Sequence, residues 1–262
     1  MVKYLLKKSY LRKDLSEINF NDLWDHKGVF TTMWIYGKPP KILFFKSHID
    51  NLIKSLKVYK IYEKKIKSQI LKLININIRK NKKYNHLLRV ALNNNLISIS
   101  LRNKVKTDKN FSLKLINYKR IMPEYKNLKY KTILRHLSKL NTIKSDIALS
   151  VGGKILETGT SNLLFVSENK IYSPIKNYYK GTNLKFFEKK IRIIKKDIIL
   201  NRLNKFDEII LIGSGKGITQ VKYINEIKWK RKNDKIFKKL SLIYNREIKK
   251  QKIFINFYER SK

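Results

Sequence analysis

Two short apolar runs joined by paired glycines constrain the fold of this chain more than any other feature. Asp146-Ile147-Ala148-Leu149-Ser150-Val151 alternates into Gly152-Gly153, and Ile155-Leu156 carry the returning run to Glu157. A two-residue Gly-Gly connection specifies a β-hairpin, because glycine takes the positive φ of the tight primed turns without a Cβ clash. The hairpin puts Glu157 at the end of a strand, where a rigid sheet can aim a carboxylate. Small polar residues follow, Thr158-Gly159-Thr160-Ser161-Asn162, and then the apolar run Leu163-Leu164-Phe165-Val166. Upstream, Lys131 precedes Ile133, Leu134, Leu137 and Leu140 at helical spacing. Downstream, Gly181-Thr182-Asn183 opens another helical stretch, expected to run from Lys185 to Leu203.

The 262 residues suffice for one large domain or two modest ones, and a 42% hydrophobic fraction describes a folded globule. Lysine and arginine number 61 against 19 acids, a net charge of +42. Such a charge ordinarily points to nucleic acid or an anionic membrane. Here the lysines are scattered through every segment beside Asn and Ile, which reads as a bias in residue usage. A basic nucleic-acid-binding protein without catalysis stands as the alternative of another class; it requires lysines gathered on one face and binding that weakens steeply with salt. The absence of cysteine excludes disulfides and thiolate metal sites, and the four histidines lack metal-ligand spacing. The apolar run at the amino terminus is too short for a signal peptide, and no stretch is long enough to cross a bilayer. A soluble, cytoplasmic protein is expected.

Taken in order, Val29 to Tyr36 reads as a strand, Gly37 to Pro40 as a turn, and Ile42 to Phe45 as the returning strand. Ser47 is the expected N-cap of a helix with Ile49, Leu52, Ile53 and Leu56 on its apolar face. Alternation puts Phe30, Thr32 and Trp34 on one face of the first strand. A helix over Lys64–Lys80, a hairpin over His86–Leu92 and Leu96–Leu101, and a strand over Phe111–Tyr118 follow. Lys119 to Leu128 is polar, contains Pro123 and has no clear period, so it reads as an interdomain linker. Glu208 to Ile212 reads as a buried strand ending in Gly213-Ser214-Gly215-Lys216-Gly217, with Ile218 to Val221 after it. Lys235 to Lys249 is expected as a surface helix, and the last residues as a short strand or tail.

A lysine before a helix, a hairpin leading into Glu157-Thr158-Gly159-Thr160-Ser161-Asn162-Leu163-Leu164-Phe165, and a glycine turn before a further helix resemble the fold-type IV pyridoxal-phosphate enzymes. These are the class IV aminotransferases and 4-amino-4-deoxychorismate lyase. The order from Gly28 to Ile61, with His48 at the helix start, is similar to the amino-terminal domain of that family. The resemblance implies an α/β fold: an amino-terminal α/β sandwich (1–118), a linker (119–128), and a carboxy-terminal β-rich pseudo-barrel with flanking helices (129–262). It also implies bound pyridoxal 5'-phosphate between the domains, a small-molecule substrate and a homodimer.

Such chemistry needs a lysine that joins the cofactor aldehyde, a group that keeps the pyridine nitrogen protonated, and a nest for the phosphate. The resemblance gives the first role to Lys131, with Lys129 as the alternative, and places Arg135 where the lyases carry an arginine. Glu157 takes the pyridine nitrogen, beside Ser161 and Asn162; the bland reading of Glu157 is a solvated strand end. Gly181, Thr182 and Asn183 at a helix start, and Ser214 and Gly215 after a strand, offer N–H groups to the phosphate. Two departures stand out. Asn51 replaces an arginine that usually binds the phosphate, with Lys54 one turn on, and Asn183-Leu184 replaces the usual Thr-Arg. Phe30, Thr32, Trp34 and Lys216 are assigned to the substrate, although Trp34 reads equally as core and His48 as a helix-start hydrogen-bond partner.

The Phe30-Thr31-Thr32 run, Arg135 and the Gly213–Gly217 turn resemble the lyase branch, which releases pyruvate and leaves 4-aminobenzoate for folate synthesis. The alternative is a class IV aminotransferase acting on branched-chain or D-amino acids. A degenerate relative that binds the cofactor poorly is a third reading, motivated by Asn51.

Overall fold

The computed structural model describes residues 3–254, so the expected tail beyond Phe254 lies outside the described residues. The described residues divide into two compact units: 3–104 with 125–130 and 248–254, and 105–124 with 131–247.

The first unit is a six-stranded sheet with two helices. Its strands are β1 (Tyr4–Leu11), β2 (Glu17–Ile18), β3 (Val29–Gly37), β4 (Lys41–Ile42), β5 (Tyr84–Leu92) and β6 (Leu96–Asn103), in the spatial order β2-β1-β6-β5-β3-β4. Alternation along β3 sends Val29, Met33 and Ile35 into a core shared with Ile49, Leu52 and Leu56 of α1 (Phe45–Val58) and with α2 (Ile66–Asn77). Each such apolar side chain removed from water contributes about 1.5–3 kcal/mol. Phe30 lies on the opposite face, packed in a separate cluster with Leu23, Ala91 and Leu128.

Three expectations change in this unit. Only Lys41 and Ile42 pair with β3, and Leu43 N donates to Trp34 O as the chain leaves the sheet. The helix starts at Phe45 behind Phe44 in the left-handed region (φ 54), so Ser47 lies inside the first turn and does not cap it. The polar linker is not one piece. Residues 125–130 return to this unit, where Phe30 N donates to Lys126 O and Leu128 N to Gly28 O, with Asn127 and Leu128 buried.

The second unit contains two sheets. Strands β7 (Ser112–Asn117), β8 (Ser145–Val151), β9 (Lys154–Thr158), β10 (Asn162–Ser167), β11 (Lys170–Ser173), β12 (Ile194–Lys195), β13 (Ile198–Ile199), β14 (Glu208–Gly213), β15 (Gly217–Gln220), β16 (Tyr223–Ile224) and β17 (Trp229–Lys230) form them. One sheet runs β13-β9-β8-β7-β16-β17 and the other β12-β11-β10-β14-β15. Their inner faces share one core, with Phe111, Ala148 and Ile155 from the first meeting Phe165, Ile209 and Leu211 from the second. Helices α3 (Lys131–Ser138), α4 (Thr182–Glu188) and α5 (Lys235–Lys250) complete the set.

Two further differences follow from strand pairing. Strand β7, expected to close the first domain, lies parallel to β8 over Ser112–Asn117 and so belongs to the second unit. The long helix expected over Lys185–Leu203 stops at Glu188. Its isoleucines are claimed by sheet edges instead, Ile194 opposite Tyr172 and Ile198 opposite Ile155, before a 3-10 turn at Leu200–Lys205. β-Branched residues pack well on a pleated edge and gain little from helix formation, so tertiary pairing outweighs the helical spacing.

Candidate active site

The hairpin forms where the glycines place it, with Gly152 and Gly153 at φ 55 and 68. Leu149 pairs with Glu157 and Ala148 with Thr158, with a register irregularity just beyond Leu149. The segment after Glu157 crosses from one sheet to the other, because Thr158 ends β9 and Asn162 begins β10. That crossing carries most of the polar residues singled out in the sequence.

Glu157 is 5% exposed, so it is not a solvated strand end. Arg120 Nε donates to its Oε1 at 2.7 Å, and the Tyr179 backbone N–H donates to its Oε2 at 3.2 Å. Arg120 is itself buried and its Nη2 donates to Pro123 O at 2.7 Å. An isolated carboxylate costs several kcal/mol to bury, and the guanidinium offsets that cost.

The crossing is held by a second buried carboxylate. Asp146 accepts from Thr158 Oγ1 at 3.0 Å and from Thr160 Oγ1 at 2.5 Å. Thr158 Oγ1 in turn accepts from Ser161 N at 2.8 Å, folding the segment into a turn that directs Ser161 and Asn162 away from the hairpin. Asn162 Nδ2 donates to Tyr179 O at 2.6 Å, and its Oδ1 accepts from Gly181 N at 3.0 Å. Ser161 lies against the end of β14. A Cβ on Gly213 would fall 2.5 Å from Ser161 Oγ, and one on Gly181 would fall 2.7 Å from Asn162 Oδ1.

The loop entering α4 is closed by charge. Lys180 and Lys195 each reach Glu188 at 2.6 Å, and Lys195 also donates to Ser173 Oγ and Tyr178 Oη. Burial pulls the Glu188 carboxyl upward, but the two lysines outweigh it and leave the carboxyl below its ordinary range.

Contacts therefore bring Glu157, Ser161, Asn162, Gly181 and the strand end before Ser214-Gly215 into one neighbourhood. Thr182 and Asn183 begin α4 and are buried; the Asn183 side chain is turned to α5, its Nδ2 donating to Tyr244 Oη at 3.1 Å. Lys216, assigned to the substrate from the sequence, makes several contacts inside the second unit. Its ammonium donates to Thr142 O at 3.1 Å, lies 3.8 Å from Asp146 and sits over the Phe111 ring. Lys131 begins α3 with an exposed side chain, and Arg135 is exposed one turn later. Helix α3 packs on β8, the strand that pairs with β9. Lys129 is engaged elsewhere, its Nζ donating to Asp25 O at 2.6 Å.

Phe30, Thr32, Trp34 and Asn51 belong to the first unit. The first three share the β3 face away from α1, where Trp34 Nε1 donates to Asn85 Oδ1 and Lys104 lies over the Trp34 ring. Asn51 is half-buried on α1, and its carbonyl accepts from Ser55 Oγ. His48 is buried on the same helix, with Nδ1 2.9 Å from Thr31 Oγ1, in keeping with its bland reading.

Sequence reasoning missed Arg120, Asp146 and the Tyr179 amide. Arg120 lies inside what reads as linker, and its one available signal is an arginine beside a proline in a lysine-rich stretch. The Tyr179 amide leaves no trace in side-chain identity.

A charge-paired carboxylate at a strand end, with close-packed glycines at two turns beside it, suits a group with a protonated ring nitrogen and a phosphate. Solved structures share this fold. A branched-chain aminotransferase from the archaeon Thermoproteus uzoniensis is similar with a TM-score of 0.75 at 17% identity, over 91% of this chain and 93% of that one. A protein assigned as a 4-amino-4-deoxychorismate lyase from Legionella pneumophila gives 0.68 at 17% identity, over 84% and 91%. A hypothetical aminotransferase from Mycobacterium tuberculosis, in a pyridoxal-phosphate-bound form, gives 0.69 at 13% identity, over 92% and 98%. None of the curated protein sequences matches the chain. The fold is therefore the mixed α/β fold of the pyridoxal-phosphate enzymes of fold type IV. Residues 28–224 match the family described as amino-transferase class IV, and the chain belongs to that family of pyridoxal-phosphate-dependent enzymes. No helix among the described residues is long and apolar enough to cross a membrane.

Proposed function

We propose that this enzyme is a 4-amino-4-deoxychorismate lyase, converting its substrate to 4-aminobenzoate and pyruvate. The observation that carries the enzymatic reading is the buried Glu157 carboxylate, held by Arg120 and the Tyr179 amide at the end of β9. The observation that favours the lyase is Arg135, one helical turn after Lys131 on α3 and hence on the same side of that helix.

When bound, the cofactor supplies an electron sink for the pair released as a bond at the substrate Cα breaks. Lys131 would join the cofactor aldehyde and then take the Cα proton, with Lys129, whose Nζ donates to Asp25 O, as the alternative. Glu157 would accept the hydrogen bond of the ring N–H and so keep that nitrogen protonated. Thr182 and Asn183 at the start of α4, with Ser214 and Gly215, would present backbone N–H groups to the phosphate, while Asn162 holds the Gly181 N–H and so sets the course of the loop. Asn51 contributes a hydrogen bond without charge. Ser161 backs the turn at Gly213. By the family resemblance, Arg135 would bind and tune the cofactor and, with Thr32, position the substrate, while Phe30 and Trp34 would help select it.

The test is the visible absorbance of the purified protein with added pyridoxal phosphate, for the wild type, Lys131→Ala and Lys129→Ala. Loss of the lysine-linked band in Lys131→Ala alone is expected; loss in Lys129→Ala alone would move the role. Pyruvate release from 4-amino-4-deoxychorismate supports the lyase. Deamination that depends on a 2-oxo acid, without pyruvate release, would make the enzyme a class IV aminotransferase.

A further inference from the structure

Arg120 is three residues from Pro123, whose carbonyl its Nη2 meets at 2.7 Å. The backbone between them turns sharply, with Met122 at φ 44, and leaves Ile121 and Met122 exposed while the arginine side chain is only 3% exposed. A buried guanidinium is uncommon unless it is paired, so its interior position calls for a partner. The cation's placed partner is Glu157, and its Nε meets Oε1 at 2.7 Å. With the Tyr179 N–H on Oε2, a fixed donor stands on each carboxylate oxygen, and the two together set the plane of the group.

We propose that Arg120 is a positioning residue for the cofactor: it keeps Glu157 ionised inside the protein and fixes the carboxylate plane that receives the ring N–H. This inference rests on the reading of Glu157 given above. Without the guanidinium, a buried carboxylate relieves its charge by taking up a proton, and a protonated Glu157 donates a hydrogen bond where it should accept one. Glu157 would then no longer accept from the ring N–H, and the electron sink that the cofactor supplies would be weaker. Lysine at this position keeps the charge without the planar fork, so it restores ionisation better than orientation.

The experiment is a double-mutant cycle on pyridoxal phosphate affinity, measured by titration of the full-length apoprotein, with the visible spectrum followed against pH and the apoprotein melting temperature recorded for every variant. Arg120→Met should weaken cofactor binding roughly tenfold or more and make the bound spectrum pH-dependent, as loss of one member of a buried pair implies. Arg120→Lys should recover part of the affinity. In the Glu157→Gln background, Arg120→Met should change affinity by less than about twofold, because the carboxylate it serves is gone. Equal losses of affinity in both backgrounds, or a lowered melting temperature with unchanged affinity and spectrum, would overturn the inference and leave Arg120 a structural residue. If Arg120→Met does not fold, Arg120→Lys is carried through the same cycle, with the same two outcomes. A wild type that binds no pyridoxal phosphate, or a Glu157→Gln variant that binds and absorbs like wild type, would instead sink the reading of the site itself.

Discussion

The side-chain amide of Asn162 fixes Gly181 at the start of α4: Oδ1 accepts from Gly181 N at 3.0 Å while Nδ2 donates to Tyr179 O at 2.6 Å. The first residue of β10 thereby sets the conformation of a loop nearly twenty residues later in the chain.

Asn162→Ala removes both bonds from a half-buried backbone donor and acceptor. A stability loss of about 1–3 kcal/mol is expected, read from urea denaturation, together with weaker pyridoxal phosphate binding in a fluorescence titration. Wild-type affinity in a folded variant would show that the loop reaches its conformation without this amide.

Gly213→Ala tests the close approach of the crossing segment to β14. The new methyl would lie 2.5 Å from Ser161 Oγ and 3.3 Å from Ser161 Cα, and backbone cannot yield as a flexible side-chain tip can. Overpacking of this kind costs about 1–3 kcal/mol, visible as a lowered thermal midpoint. Gly213→Ala combined with Ser161→Ala should regain part of that loss, since the nearest clashing atom is removed.

His48 gives a pH dependence to stability. Burial, with the charge of Lys126 adding to it, lowers its pKa from 6.5 to about 3. The native state therefore refuses a proton that the unfolded chain accepts. Stability linked to this group is complete above pH 6.5 and falls by roughly 1.4 kcal/mol per pH unit from there down toward about 3. Urea midpoints between pH 7 and pH 5 should decline, and the decline should flatten in His48→Gln, whose amide can still meet Thr31 Oγ1. An equal slope in the variant would assign the effect to other groups.

Lys216 is expected to matter for folding more than for substrate. Its ammonium, 3.8 Å from the Asp146 carboxylate and bonded to Thr142 O, ties the 214–217 turn to the start of β8. Lys216→Met leaves the buried Asp146 with hydroxyl and backbone donors alone, for a loss of about 1–3 kcal/mol in denaturant titration. A raised KM with unchanged stability would return Lys216 to the substrate.

Local features of this site were legible because they are encoded in adjacent residues. Gly152-Gly153 demands its turn whatever surrounds it, so the β8–β9 hairpin and the place of Glu157 at its end follow from a few residues in a row. The same holds for α3 behind Lys131, and for the alternation that sends Val29, Met33 and Ile35 one way and Phe30, Thr32 and Trp34 the other. What failed depends on distant partners. Ile194 and Ile198 have helical spacing, yet sheet edges at Tyr172 and Ile155 claim them.

The sequence alone determined the hairpin, the acid it carries, the glycine turns near it and the family to which these belong, since each is a short-range pattern with a short-range cause. Tertiary structure alone decided what the acid touches. Arg120 lies 37 residues before Glu157 in a stretch with no period, and Lys216 turns to Asp146 although its own neighbours are glycines. Spacing along a chain specifies which way a side chain leaves the backbone. Only the packed fold specifies which charge is waiting there, because a buried ion must find its partner wherever the chain brings one.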